Sequence, residues 1–297
     1  MKIRTSIHFI INPISGNGQN KLTLNTLYGV FKEDRFSVEI KETERPNQAT
    51  ELAQQSITSG ADIVVACGGD GTVNEVARCL VDSSAHLGIV PMGSGNGLAS
   101  ALKIPKNTTE ALRVIQRHKR SEIDVGEIEK HYFFSNTGIG FDANVINNYS
   151  RTKKREFVSY LKAVLLALLQ PSPQLFVKIK TEADSYILNP FLVFVSNSSK
   201  MGYDISLTPE ASMQDGVLDA IIVPPLNKLE IVYFGILLLI NKPHKFKKAR
   251  YFLTKKLEIT NLDKGKFLTQ IDGESREIDS NSLNISVKKG ALSVIIP

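Results

Sequence analysis

Hydrophobic positions keep two rhythms over the first 125 residues. Ile7–Asn12 is an apolar run broken at Pro13, which predicts a buried strand. Leu22, Leu27, Val30 and Phe31 then recur at near-helical spacing, and Ser37–Ile40 predicts a second strand. Asn47 to Ser59 predicts a helix with Leu52, Ala53, Ser56 and Ile57 inward and Gly60 just past its end. Asp62–Cys67 is apolar almost throughout, as expected of a strand covered on both faces. Val73, Val76, Ala77 and Leu80 fall at i, i+3, i+4 and i+7, the spacing of an amphipathic helix. His86–Met92 predicts a fourth strand and Gly97–Leu102 opens another helix. Strand alternating with helix in this way predicts an α/β domain with a parallel sheet and right-handed crossovers.

Near Asp124 the rhythm changes. Val125–Ile128 and Tyr132–Asn136 flank a polar turn and predict a hairpin. A basic helical stretch follows, from about Asn144 to Leu169, ending before Pro171. Strand-like runs then dominate: Leu175–Lys180, Phe191–Ser196, Val217–Val223, Lys256–Asn261, Lys266–Ile271, Asn284–Val287 and Leu292–Ile296, with one helix at about Leu226 to Ile240. Leu257 and Ile259, and Leu283, Ile285 and Val287, alternate with polar residues, the pattern of an antiparallel sheet with one wet face. The division expected is an α/β domain at 1–125 and a mostly antiparallel β domain at 126–297. A cleft between two such halves is a usual ligand site.

Composition narrows the class without choosing the partner. The 297 residues are 42% hydrophobic and 22% charged, as in globular proteins, and carry a formal charge of +6. That bias suits ATP, anionic lipid headgroups or nucleic acid alike. Nucleic-acid binding is not expected, since the charge is modest, the chain has no Trp and no recognition motif appears. The two cysteines, Cys67 and Cys79, sit in segments read as buried strand or helix, so neither a zinc site nor a disulfide framework is expected. The five histidines lack ligand spacing. The apolar runs Ala163–Leu169 and Ile231–Ile240 fall short of the roughly 20 residues that span a bilayer, so peripheral membrane contact and a cytoplasmic location are expected.

Three glycine-rich loops carry the candidate chemistry, each placed after a predicted strand and before a helix. They are Asn12-Pro13-Ile14-Ser15-Gly16-Asn17-Gly18, Gly68-Gly69-Asp70-Gly71-Thr72 and Pro91-Met92-Gly93-Ser94-Gly95-Asn96-Gly97. In a parallel sheet all three emerge at the carboxyl edge, where ligands bind. Glycines let backbone approach an anion, and helix N-termini direct N–H groups at it. Ser15, Thr72, Ser94 and Asn96 add neutral donors. Neither the Walker pattern nor the dinucleotide fingerprint is matched. Asp70 reads two ways. Beside a phosphate at 4 Å it would cost about 4 kcal/mol at an effective dielectric of 20, which suggests an offsetting Mg²⁺; otherwise it caps the following helix.

Together these loops resemble the diacylglycerol kinase catalytic-domain family, which includes bacterial lipid kinases and the sphingosine and ceramide kinases. The resemblance extends through Gly138-Ile139-Gly140-Phe141-Asp142-Ala143, Asp215-Gly216-Val217-Leu218-Asp219 and Asp272-Gly273-Glu274, nearly the whole chain. The loop at 68–72 is shared with NAD kinases and phosphofructokinases, so the full set is what is specific. The resemblance implies an NAD kinase/phosphofructokinase-like α/β domain and a β-sandwich, with ATP between them. It implies nucleotide contacts from Thr43 and from Gly68, Gly69, Asp70, Gly71, Thr72 and Asn74, with Asn12, Ser15, Gly16, Gly93, Ser94 and Asn96 beside them. Asp70 and Glu274 would be catalytic, Glu274 as the base that takes the acceptor's proton. Asp215, with backbone carbonyls near Ser212 and Val217, would hold a second, structural Mg²⁺. Without the resemblance, Glu274 is an ordinary turn glutamate.

Two departures matter, the first removing one expected phosphate charge and the second bearing on the acceptor. Asn17 stands where many relatives carry Lys or Arg, and Gly97 where bacterial diacylglycerol kinases usually carry Asp. The Gly-Ser-Gly-Asn form looks closer to the sphingoid-lipid branch. The expected reaction is therefore ATP-dependent phosphorylation of a lipid hydroxyl at the inner membrane face, on a diacylglycerol or a sphingoid or ceramide-type lipid. A soluble-metabolite kinase such as an NAD kinase, or a non-catalytic sensor on the same fold, are the alternatives, and a homodimer is left open. Arg151, Lys153, Lys154 and Arg155 precede the apolar run Tyr160–Leu169. Lys242, Lys245, Lys247, Lys248, Arg250, Lys255 and Lys256 follow the run at 231–240. Such clusters either dock on anionic lipid or form a solvated charged face.

Overall fold

Strands β1 (Thr5–Ile11), β2 (Phe36–Glu42), β3 (Ile63–Gly68) and β4 (His86–Pro91) form a parallel sheet in the order β2-β1-β3-β4. The structure is a computed structural model that describes residues 4–16, 22–152, 157–170, 175–200 and 206–297. Its backbone divides into two compact units, Met1–Ile123 with Gly290–Pro297, and Asp124–Lys289. The final eight residues lie with the first unit because Val294 pairs with Leu87 of β4. The sequence runs Asn284–Val287 and Leu292–Ile296 are one strand with Gly290 at φ +61° inside it, so no boundary is visible in the apolar pattern.

In the first unit every residue of β3 is buried, the outcome of covering both faces with helices. Helices α1 (Leu24–Tyr28), α2 (Gln48–Thr58), α3 (Asp70–Leu80), α4 (Gly97–Ala101) and α5 (Thr108–Arg117) supply the cover. Val73, Val76, Ala77 and Leu80 of α3 turn inward as their spacing requires. Helix α1 is shorter than the spacing of Leu22 to Phe31 suggested; Leu22, Leu27 and Phe31 are all buried, but only Leu27 is helical. Helix α5 was not anticipated. Asn107 caps it by accepting from the Glu110 amide, and Ala111, Leu112, Val114 and Ile115 are buried. Full burial of a residue such as Ile7, Phe9 or Val65 contributes about 1.5–3 kcal/mol.

The strand β5 (Arg120–Ile128) runs from the first unit into the second, where it forms the expected hairpin with β6 (His131–Phe133). The sheet β12-β11-β10-β7-β14-β15 is antiparallel, built from β7 (Asn136–Gly140), β10 (Leu192–Ser196), β11 (Leu218–Val223), β12 (Arg250–Thr254), β14 (Phe267–Ile271) and β15 (Glu274–Ile278). Opposite it, β8 (Val177–Lys180), β9 (Ser185–Leu188), β13 (Lys256–Asn261) and the start of β16 (Ser282–Ile295) pair antiparallel. Val193, Val195, Leu218 and Ile271 meet Ile179, Ile259, Leu283 and Ile285 in one core, which makes the unit a sandwich. The alternate residues Leu192, Phe194, Ile221 and Val223 pack on Phe234 and Leu237 of α8 (Lys228–Leu239).

The basic helical stretch at 144–169 is two helices, α6 (Phe141–Ser150) and α7 (Phe157–Leu169). Arg151 caps α6, while Lys153, Lys154 and Arg155 lie outside the described residues. No described helix is long and apolar enough to cross a membrane.

Candidate active site

The parallel sheet changes direction of winding between β1 and β3. β1 connects to β2 on one side, while β3 lies on the other and leads on to β4. Loops leaving the carboxyl ends of such a pair diverge and open a crevice. The first two glycine loops stand at that point. The Asn12 side chain joins them by donating from Nδ2 to Thr72 Oγ1 at 3.2 Å, and its Oδ1 accepts from the Ile14 amide at 3.2 Å. Thr43, just past β2, donates its amide to the Ile11 carbonyl at 2.9 Å and so borders the first loop.

The three loops touch through backbone. A Cβ on Gly16, at φ +63°, would lie 2.6 Å from the Met92 carbonyl oxygen. One on Gly93 would lie 2.6 Å from the Gly69 Cα, and one on Gly68 would strike the Thr72 side chain at 2.6 Å. Side chains are therefore excluded where the loops cross. Gly69 is also the N-cap of α3 and offers no side-chain oxygen, so helix geometry leaves the amides of the first turn, Asp70, Gly71 and Thr72, directed out of the helix. Those amides and the positive helix end suit an anion. Thr72 and Asn74 are buried in that turn, while Ser94 is exposed and Ser15 half-buried. Asn17 and Gly18 lie outside the described residues.

Asp70 does not cap its own helix. Its Oδ2 accepts from the Asn96 amide at 2.9 Å and its Oδ1 from the Gly97 amide at 2.6 Å, so it clamps the third loop to the second. Asn96 sits at φ +53° and closes its own loop. Its Oδ1 accepts from the Gly93 amide at 2.9 Å and its Nδ2 donates to the Gly93 carbonyl at 2.6 Å. The repulsion that suggested a metal at Asp70 thus has another answer in two amide dipoles. Each carboxylate oxygen keeps a second lone pair.

In the second unit the Asp272-Gly273-Glu274 turn joins β14 to β15, with Asp272 at φ +49° and Gly273 at φ +80°. The Asp272 carboxylate accepts three backbone amides, from Phe134 at 2.9 Å, Ser135 at 2.7 Å and Asn136 at 3.1 Å. Glu274 is the half-buried first residue of β15. Behind the turn runs a buried polar chain. Gln270 accepts from the Gly273 amide at 3.0 Å and donates to Asn136 Oδ1 at 2.7 Å, and Asn136 donates to Ser135 Oγ at 2.8 Å. Asp142 is buried, and its Oδ2 has no hydrogen-bond partner. Burial pushes its carboxyl up to about 7.

Asp215 is exposed, and its Oδ1 accepts from the Val217 amide at 3.1 Å. Ser212 Oγ accepts from the Gln214 amide at 3.2 Å in the same loop. Asp219 is pushed up to about 6, by burial first and then by the negative charges of Asp215 and Glu210. Among the described residues no three acidic, His or Cys side chains converge as a metal cluster, so a cation at this loop would need backbone carbonyls and water. Asp124, buried, organises the loop. Its Oδ2 accepts from the Gly216 amide at 2.6 Å and its amide donates to the Met213 carbonyl at 2.7 Å. Sequence reasoning assigned Asp124 and Gln270 no role; a polar residue inside an apolar run was the one available signal.

A family profile described as the diacylglycerol kinase catalytic domain matches residues 6–128. One described as the YegS C-terminal NAD kinase beta sandwich-like domain matches residues 135–238. The diacylglycerol kinase of Staphylococcus saprophyticus is 28% identical over 291 residues, covering 95% of this chain and 93% of its own. A Staphylococcus aureus diacylglycerol kinase is 26% identical over 290 residues, covering 95% and 90%. A crystal structure of a diacylglycerol kinase from Bacillus anthracis superposes with TM-score 0.75 at 22% identity, covering 99% of this chain and 97% of that one. A second structure from that organism gives TM-score 0.80 at 24% identity, covering 99% and 95%. At these identities the two structures establish the fold.

Proposed function

The chain belongs to the diacylglycerol kinase catalytic-domain family and is a kinase, and on that premise we propose that it transfers the γ-phosphate of ATP to the hydroxyl of a membrane lipid, a diacylglycerol or a sphingoid or ceramide-type lipid. The observation that carries this reading is the interlocked set of glycine loops at the β1/β3 crevice. Asn12 and Asp70 fasten them together, and the α3 amides are left without a cap from Gly69.

In this reading the amides of Asp70, Gly71 and Thr72 donate to phosphate oxygens, with Ser15, Thr72 and Ser94 hydroxyls as further donors and Asn12, Gly16, Gly68, Gly69 and Gly93 shaping the floor. Thr43, Asn74 and Asn96 complete the wall. Phosphoryl transfer asks little covalent chemistry of a protein, so alignment and charge neutralisation carry most of the rate. Mg²⁺ bound to the nucleotide would neutralise the developing phosphate charge, and Asp70 fits it, directly or through water, by the lone pairs its amide bonds leave over. Asp215, exposed in its loop, and the carbonyls near Ser212 and Val217 would be the donors for a second, structural Mg²⁺, oxygen ligands of the kind a hard cation takes.

The acceptor hydroxyl needs a base. Asp272 is engaged by three amides, which suits a residue that holds the turn in shape. Glu274, the other carboxylate of that turn, is the base that the family resemblance implies, a role typically contributing about 10²- to 10⁴-fold. A lipid acceptor places the enzyme at the cytoplasmic face of a membrane. The test is to incubate the chain with γ-labelled ATP, Mg²⁺ and either a total lipid extract or NAD. Label on lipid is expected; label on NAD alone would replace this reading with a soluble-metabolite kinase.

A further inference from the structure

Helix α8 carries more apolar surface than its packing uses. Only Phe234 and Leu237 are buried, against the outer face of the six-stranded sheet. Leu229, Val232, Tyr233, Ile236, Leu239 and the cap residue Ile240 are 50–82% exposed. At 3.6 residues per turn these six fall within an arc of about 120° on one side of the helix and extend about 16 Å along it. A solvated face beside a core helix would place its polar residues there; here the wet side is apolar.

Along the chain the charge flanking this stripe is almost all positive. Glu230 is the single acid between Lys228 and Lys256. It lies away from the stripe, in a capping box with Asn227 and an ion pair with Lys248. Lys228 stands at one end of the stripe, and Lys242, Lys245 and Lys247 stand beyond the other, all exposed. Among the described residues these four have no ion-pair partner. The corresponding basic run before α7 lies largely outside the described residues, so α8 is where both halves of the pattern are seen together.

We propose that this face of α8 with its lysine rim is a docking surface for an anionic lipid bilayer, the helix lying in the interfacial plane. A stripe of this length fits a helix that lies on a membrane and does not span it. Lysines at both ends would meet anionic headgroups while the stripe enters the acyl boundary. A second copy of the chain is a poorer occupant. Two α8 faces apposed in either direction would bring lysine against lysine with no acid on either stripe. The inference rests on the lipid-kinase reading only for why the protein should meet a bilayer.

The chain has no tryptophan, so Ile236→Trp in the full chain gives a single reporter on the stripe. The expected result is a shift of its emission to shorter wavelength with phosphatidylglycerol vesicles and little change with phosphatidylcholine vesicles. Leu229→Ser/Val232→Ser and Lys242→Glu/Lys245→Glu should each lower partition onto phosphatidylglycerol vesicles by about tenfold or more. Their melting temperatures should be unchanged, since all four side chains are exposed. Undiminished partition in both variants, no binding by the unaltered chain, or conversion of a dimer to a monomer by the apolar pair would each overturn the proposal. Transfer to a short-chain acceptor lipid dispersed in detergent needs no docking and should be unaltered in both variants. Vesicle binding by a chain that fails to phosphorylate that acceptor would leave the docking in place and reject the kinase reading alone.

Discussion

Asp70 Oδ1 stands 2.6 Å from the amide nitrogen of Gly97, with the same carboxylate held by the Asn96 amide at 2.9 Å. A residue whose motif position suggests phosphate or metal chemistry is thus also a strut between two loops. Asp70→Ala removes both acceptors and leaves two loop amides without partners. Hydrogen bonds to a charged group contribute about 1.5–3 kcal/mol each, so a loss of roughly 3–6 kcal/mol is expected even without nucleotide or metal. Denaturant unfolding of the apo chain measures it. Unchanged apo stability would assign Asp70 to ligand chemistry alone.

Gly93→Ala should separate loop geometry from general stability. Its Cβ would meet the Gly69 Cα at 2.6 Å and Asn96 Oδ1 at 2.9 Å, forcing the second and third loops apart. Gly60→Ala is the control, at φ +78° with nothing within 4 Å. Both should lose stability, Gly60→Ala by about 1 kcal/mol. Only Gly93→Ala should raise the KM for ATP, by about tenfold or more. Steady-state kinetics on the two variants decide it.

These loops were legible from sequence because two independent signals coincide there, an apolar run and a glycine cluster. Their interlocking was not, since nothing local reveals that Gly93 crosses Gly69 or that Asp70 turns toward Gly97. Helix α5 was readable in principle from Asn107 and the spacing of Ala111, Leu112, Val114 and Ile115. Strands β12 and β15 carry weaker patterns. Leu253 of β12 is exposed, and β15 buries only Ile278. The polar chain of Gln270 and Asn136 and the buried Asp142 lay out of reach, because burial of polar side chains depends on partners distant in sequence.

Asp142 should make stability depend on pH. Its carboxyl is raised from 3.8 to about 7 in the fold by burial, so the folded chain holds a proton that the unfolded chain has released. Its contribution is complete below the unfolded value and is lost as pH rises through the folded one. Asp142→Asn cannot ionise. Its melting temperature relative to the unaltered chain should therefore improve between pH 5 and pH 8, by on the order of 2–4 °C per kcal/mol of removed penalty. Calorimetry at the two pH values checks this; a constant difference would mean the carboxyl does not titrate in that window.

Asp272 and Glu274 should fail differently. Asp272→Ala strands the amides of Phe134, Ser135 and Asn136 and should cost at least as much stability as Asp70→Ala, together with activity. Glu274→Gln keeps shape and size and should leave the melting temperature within about 2 °C.

The most direct measurement is single-turnover transfer of label from γ-labelled ATP to lipid, run with the unaltered chain and with Glu274→Gln at saturating nucleotide. Labelled lipid is expected from the first, a rate about 10²-fold or more lower from the second, and equal ATP affinity in both. Equal transfer rates, or no label on any lipid from the unaltered chain, would contradict it.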